Sequence, residues 1–232
     1  RMGVISIVPA SSNSGLACIK SLLSPSGPLL GRQSPDSQAH AEWRVRAGVR
    51  TQGKRDHLLT KLQLADESED RSEDDVPAQA QQPVHTCTAP LLLNKLDIVH
   101  GIDALVPDTL SPVFEGASIA VIVTPLVAEG FGRDAEASNN LVNAAVREGV
   151  KHIVYVGSWT VHHQDRLDLL ARRFAPTEAL LRHVVQDTSI TWTCLRPGYF
   201  MTNFIHVLAP AIKAAAQRNS STSSGRQEEE EA

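Results

Sequence analysis

The chain of 232 residues lacks three features, each of which would point to a distinct class of protein. No uninterrupted apolar run approaches the roughly 20 residues that a membrane-spanning helix needs. The net charge of −4 gives no electrostatic basis for binding nucleic acid. The 3 cysteines are far apart, and their spacing matches neither a metal site nor a redox motif. The short N-terminal stretch is unlike a signal peptide, so the sequence predicts a cytoplasmic protein with reduced cysteines and without membrane or nucleic-acid partners.

The segment from Ala117 to Phe204 alternates short β-rich runs with stretches of helical length. The β-rich runs are 118–124, 151–157 and 191–195. Between the first two, residues 137–150 have the apolar spacing of an amphipathic helix. Short apolar strands separated by helices are typical of βαβ units, in which a parallel sheet is buried on both faces. The pattern predicts a three-layer α/β fold with a doubly wound, mostly parallel sheet, which binds ligands at the carboxyl ends of its strands.

Apolar β-rich runs and helical spacing of apolar residues also predict the remaining elements. Strands are expected at 2–8, 43–49 and 96–100, and helices at 14–23, 107–114 and 205–216. Two polar segments, 24–42 and 63–83, hold too few apolar residues to offset the entropy of ordering and are predicted to be disordered insertions. The sequence therefore predicts one domain over 1–216 and a disordered tail over 217–232.

The turn after the first predicted strand is the candidate phosphate-binding loop. Dinucleotide-binding sheets carry glycines there, which allow a tight turn, a close approach of the pyrophosphate and close packing of helix and strand. Here only Gly15 remains, at the position that close packing requires. The candidate phosphate contacts are Pro9, Ala10, Ser11, Ser12, Asn13 and Gly15. Polar groups at the start of a helix favour an anion, but the same residues also suit a plain helix cap.

Arg50 follows the second predicted strand, where dinucleotide-binding sheets distinguish their cofactors. An acidic residue there favours the 2′-hydroxyl of NAD, whereas an arginine favours the 2′-phosphate of NADP. Lys54 and Arg55 add positive charge nearby. The sequence therefore favours NADP over NAD, and the alternative interpretation of these residues is a solvated basic loop.

Two longer phrases resemble a known family. Residues 139–158 read NNLVNAAVREGVKHIVYVGS, and residues 192–203 read WTCLRPGYFMTN. Together with the turn after the first strand and the segment 114–117, they resemble the NmrA-like branch of the atypical short-chain dehydrogenases. The resemblance implies a Rossmann fold that binds NAD(P). Some members of this branch reduce small molecules, and others bind the cofactor as redox sensors that regulate partner proteins.

The resemblance also assigns positions around the cofactor. It implies that Arg50 contacts the 2′-phosphate and that Asp103 lies near the adenine. Thr124 and Pro125 would lie near the ribose on the nicotinamide side, and Ser158 would end the fifth strand. The residues expected over the nicotinamide are Pro197, Gly198 and Phe200.

Several positions depart from the family pattern. Pro9 and Ser12 replace two glycines of the phosphate loop. In reductases of the family, a lysine four residues before a helix glutamate anchors the nicotinamide ribose and lowers the pKa of the catalytic hydroxyl. Here that glutamate is Glu178, predicted to lie on a helix face, and the matching position holds Phe174. The neighbouring Arg173 is expected to point elsewhere, and no Tyr-x-x-x-Lys occurs in the chain.

His162 and His163 follow Ser158 closely and allow two further interpretations. With Asp165 they could ligate a metal, but adjacent histidines without a third partner favour a solvated loop, so no metal site is predicted. His162 could instead act with Ser158 as an acid–base group near a substrate carbonyl. These two residues are therefore the catalytic candidates.

The preferred function is an NAD(P)-binding redox sensor or regulator with little turnover, whose partners are a nicotinamide dinucleotide and a regulatory protein. One alternative is an NAD(P)H-dependent oxidoreductase with a site around Ser158 and either His162 or His163. A second alternative is a truncated or decayed member that no longer binds a cofactor. Phe174 in place of the lysine favours a binder over a catalyst.

Overall fold

The computed structural model describes residues 3–24, 43–68, 94–127, 130–163, 165–184, 186, 188–198 and 209–214. The chain divides into two compact units, Arg1–Arg196 and Pro197–Ala232. The described residues of the second unit are 197–198 and 209–214, and the latter are helical. Most of the two predicted insertions and all of the predicted tail lie outside the described residues. The single domain over 1–216 stays a prediction.

The first unit contains a sheet of six parallel strands. The strands are β1 (Gly3–Val8), β2 (Trp43–Gly48), β3 (Leu96–Val99), β4 (Ile119–Val123), β5 (His152–Val156) and β6 (Thr191–Leu195). Their order is β3-β2-β1-β4-β5-β6, and Ile5 of β1 lies opposite both Val45 and Ile119. The predicted doubly wound sheet is confirmed. The carboxyl ends of β1 and β4 flank the point where the strand order reverses, which is where such sheets bind ligands.

Helices join the strands of this unit. They are α1 (Asn13–Leu23), α2 (Gln52–Ser68), α3 (Ser111–Phe114), α4 (Phe131–Arg147), α5 (Asp168–Ala171) and α6 (Ala175–Val184), with 3-10 turns at Pro107–Thr109 and Trp159–His163. Within the described ranges, no helix combines the length and the apolar character that crossing a membrane requires.

Helix α2 is an element that the sequence did not predict. Among its described side chains only Leu58 is buried, so an apolar periodicity is barely visible. The Thr51 hydroxyl oxygen accepts a hydrogen bond from the Lys54 N–H (3.2 Å), as at a helix cap. Lys54 and Arg55 thus lie in the first turn of a helix, whereas Arg50 precedes it. The helix continues to Ser68, so the first residues of the insertion expected from 63 onward are helical.

The two faces of the sheet are buried by different helices, because side chains alternate along each strand. One face packs against α1 through Ile7, Val45 and Ile19. The opposite face packs against α4 through Ile122 and Leu141. Each fully buried aliphatic side chain of this kind contributes about 2 kcal/mol. The predicted three layers are therefore present, and they hold the carboxyl ends of the strands in fixed positions.

Candidate functional site

The turn from β1 into α1 has the close packing that the sequence predicted. A Cβ atom on Gly15 would lie 2.4 Å from the Pro9 carbonyl oxygen, so no larger residue fits there without a shift of the turn. The Ser12 hydroxyl donates to that carbonyl oxygen (2.8 Å) and accepts from the Gly15 N–H (3.0 Å). Ser12 is therefore the N-cap of α1, which confirms the cap interpretation.

The same turn retains donors for an anion. Pro9 has no N–H, and the N–H of the buried Ala10 donates to the Gly48 carbonyl (2.9 Å). The backbone N–H groups of Ser11, Asn13 and Ser14 donate to no group within the described residues. These three donors lie at the positive end of the α1 dipole. The turn therefore leaves three backbone N–H groups available at the N-terminus of a helix.

Arg50 and Asp103, two predicted cofactor contacts, form an ion pair. The Arg50 Nη2 atom lies 2.9 Å from the Asp103 Oδ2 atom, and the two side chains are 68% and 26% exposed. Backbone bonds bring their segments together: the Val49 N–H donates to Val99 (2.9 Å), and the Ile102 N–H donates to Val49 (3.2 Å). Opposite charges thus meet at the carboxyl ends of β2 and β3.

Thr124 and Pro125, at the end of β4, are both buried. The Thr124 hydroxyl oxygen lies 2.9 Å from the Tyr155 hydroxyl and donates to the Val156 carbonyl (3.3 Å). Burial raises the pKa of Tyr155 despite this hydrogen bond. The Thr124 hydroxyl is therefore bonded to β5, and the Tyr155 hydroxyl is buried beside it.

Ser158 and His162, the catalytic candidates, bond to different neighbours. The Ser158 hydroxyl oxygen accepts from the Thr160 N–H (3.3 Å) and hydroxyl (3.1 Å). The His162 Nε2 atom lies 2.7 Å from Nη1 of Arg196. Because a guanidinium only donates, Nε2 is the acceptor in this contact. No hydrogen bond between Ser158 and His162 is present, and the described residues contain no cluster that could hold a metal ion.

Glu178 takes part in a hydrogen-bond network that the sequence did not predict. It lies on α6, as predicted, but is completely buried. Its Oε1 atom accepts from Arg196 Nε (2.9 Å) and Cys194 Sγ (3.3 Å), and its Oε2 atom accepts from Arg196 Nη2 and Arg182 Nη2 (3.2 Å for Arg182). Alone, burial raises the pKa of Glu178, but Arg196, Cys194 and Arg182 bring it below its usual value. Burial and the adjacent carboxylate raise the pKa of Cys194 to about 11.

Phe174 occupies the position at which reductases of the family are expected to have a lysine, and Arg173 precedes it. Phe174 packs against the core, and the Arg173 guanidinium carbon is 5.9 Å from the centre of its ring. The Arg173 Nε atom lies 2.6 Å from Oδ2 of the buried Asp134. The Asp134 Oδ1 atom accepts from the Val127 N–H (2.6 Å), which ties the segment after β4 to α4. Arg173 is thus directed to Asp134.

The remaining candidates are placed only in part. Pro197 and Gly198 belong to the second compact unit. Phe200 lies outside the described residues. The assignment of these three residues to the nicotinamide stays a prediction.

The sequence of residues 30–226 matches the model of the NmrA-like family. The chain belongs to the NmrA-like family. A solved structure of similar fold is an NADPH-dependent quinone oxidoreductase from Escherichia coli complexed with NADPH (21% identity, TM-score 0.56, 91% of this chain and 54% of that chain). Another is Nmra, a negative transcriptional regulator (16% identity, TM-score 0.51, 88% of this chain and 48% of that chain). These identities establish the fold alone.

A curated relative of this NmrA-like chain shares a shorter segment. It is the (4-alkanoyl-5-oxo-2,5-dihydrofuran-3-yl)methyl phosphate reductase of Streptomyces griseus, 35% identical over 72 residues. The shared segment is 31% of this chain and 24% of the relative. The chain thus spans about a quarter of this relative and about half of the two solved structures.

Proposed function

We propose that this NmrA-like protein is a cytoplasmic sensor or regulator that binds a nicotinamide dinucleotide, NADP in preference to NAD, with little turnover. The observation that carries the proposal is a contrast between two parts of one sheet edge. The nucleotide half (residues 9–15, Arg50 and Asp103) keeps anion-binding groups accessible. The nicotinamide half (Thr124, Ser158 and His162) has its polar groups bonded to neighbouring side chains.

Binding is assigned to the nucleotide half. The N–H groups of Ser11, Asn13 and Ser14 would hold the pyrophosphate at the α1 N-terminus. Arg50 would contact the 2′-phosphate through its guanidinium, since its side chain is 68% exposed. The quinone oxidoreductase of similar fold is complexed with NADPH, which supports this choice of ligand.

Low turnover is assigned to the nicotinamide half. A bound reduced nicotinamide supplies a hydride, and the protein must supply a proton and orient the substrate. Phe174 has no ammonium with which to anchor a ribose or tune a hydroxyl. His162 has its Nε2 atom occupied by Arg196, and Ser158 faces a threonine hydroxyl instead of a base. These residues support a binder with little turnover, which is the property expected of a cofactor sensor.

Calorimetric titration of the full chain with NADPH and with NADH tests the binding step. The expected result is binding of both cofactors, with the tighter affinity for NADPH. Absence of binding at millimolar concentrations of either cofactor would overturn the proposal and favour a decayed family member. Rapid oxidation of bound NADPH by quinones or carbonyl compounds would favour the alternative, an oxidoreductase.

A further inference from the structure

We propose that Asp103 sets the choice between NADP and NAD by competing with the 2′-phosphate for Arg50. This inference rests on the proposed binding of a dinucleotide, and its test separates the two. The ion pair places the residue type that favours a ribose 2′-hydroxyl beside the type that favours a 2′-phosphate.

Asp103 is the fixed partner of this pair. Its Oδ1 atom accepts from the Leu105 N–H (3.0 Å), and its own N–H donates to the Thr109 hydroxyl oxygen (3.0 Å). The side chain is only 26% exposed, whereas that of Arg50 is 68% exposed. The carboxylate therefore keeps its position, while the guanidinium has room to move toward a ligand.

The fixed carboxylate has opposite consequences for the two cofactors. A 2′-phosphate must share Arg50 with Asp103 and also lies close to a second negative charge, which weakens its binding. A 2′-hydroxyl can donate to the carboxylate without displacing Arg50. Asp103 therefore reduces, without abolishing, the preference for NADP that Arg50 alone would give.

The variant Asp103→Asn tests this assignment. Asparagine keeps an Oδ1 acceptor for the Leu105 N–H but removes the negative charge. An exposed pair of this kind alters affinity modestly, so the ratio of NADPH to NADH affinity should rise roughly threefold. The matched control is Asp97→Asn, which removes the same charge from another Arg–Asp pair (Arg44 Nη2 to Asp97 Oδ1, 2.6 Å) and should leave the ratio unchanged.

A double-mutant cycle with Arg50→Ala completes the test. Arg50→Ala should weaken NADPH binding more in the Asp103→Asn background than in the wild type, because the arginine is then free of its competitor. An unchanged ratio in Asp103→Asn, with both cofactors still bound, would overturn the inference and leave the proposed function intact. Failure of the wild type to bind either cofactor would overturn both.

Discussion

The two halves of the sheet edge differ in how their charged groups are used. In the nucleotide half, Arg50 is mostly exposed, and its one carboxylate partner leaves it accessible. In the nicotinamide half, Arg196, which contacts His162, also donates to the fully buried Glu178. Glu178 takes further hydrogen bonds from Arg182 and Cys194. The exposed ion pair and the buried network thus lie at different strands of the same sheet.

Glu178→Gln provides the strongest test of the structural role of the nicotinamide half. Removing the charge leaves the guanidinium of Arg196 without its ion-pair partner, so the free energy of unfolding should fall by about 3 kcal/mol. Urea denaturation measures this change. The control Glu136→Gln, which breaks an exposed pair with Arg133, should cost less than about 1 kcal/mol. Equal losses in the two variants would contradict a structural role for Glu178.

Gly15→Ala provides the corresponding test of the nucleotide half. The added Cβ would lie 2.4 Å from the Pro9 carbonyl, so the turn must shift. The affinity for NADPH and NADH should fall on the order of tenfold, equivalent to the loss of about one charge-assisted hydrogen bond. Gly53→Ala is the matched control, since nothing lies within 4 Å of a Cβ there. If calorimetry gives the same affinity for both variants, the turn does not hold the pyrophosphate.

Arg50→Ala distinguishes the cofactors within the nucleotide half. NADPH binding should weaken about fivefold, because an exposed charge-assisted contact is lost, while NADH binding should be nearly unchanged. Arg147→Ala, at the C-terminal end of α4, controls for the change in net charge. Equal losses for both cofactors would refute the specificity assignment.

The pH dependence of stability gives the smallest expected effect. The pKa of Glu178 is lowered from 4.5 in the folded protein, so its ionised form stabilises the fold above that value. This contribution is lost as the pH falls through the folded-state pKa. Urea denaturation of the wild type should therefore show a steeper loss of stability below pH 4.5 than Glu178→Gln shows. Parallel curves would mean that Glu178 does not titrate with folding.

The sequence predicted the sheet because its strands are local apolar runs, and the glycine-dependent turn because Gly15 and Ser12 are close in the chain. It did not predict α2, whose described side chains include one buried residue. The Glu178 network was also missed, because Arg196 lies 18 residues away and reaches Glu178 only when β6 pairs with β5. Contacts of this type depend on strand register and leave no periodic signal.

Single-turnover mixing of the protein–NADPH complex with a panel of quinones and carbonyl compounds is the most direct test of whether the bound cofactor is oxidised. The loss of nicotinamide absorbance is measured with protein in excess, after calorimetry has established that the cofactor is bound. We expect no oxidation above the protein-free rate. Fast oxidation that is abolished by Ser158→Ala or His162→Ala would contradict it.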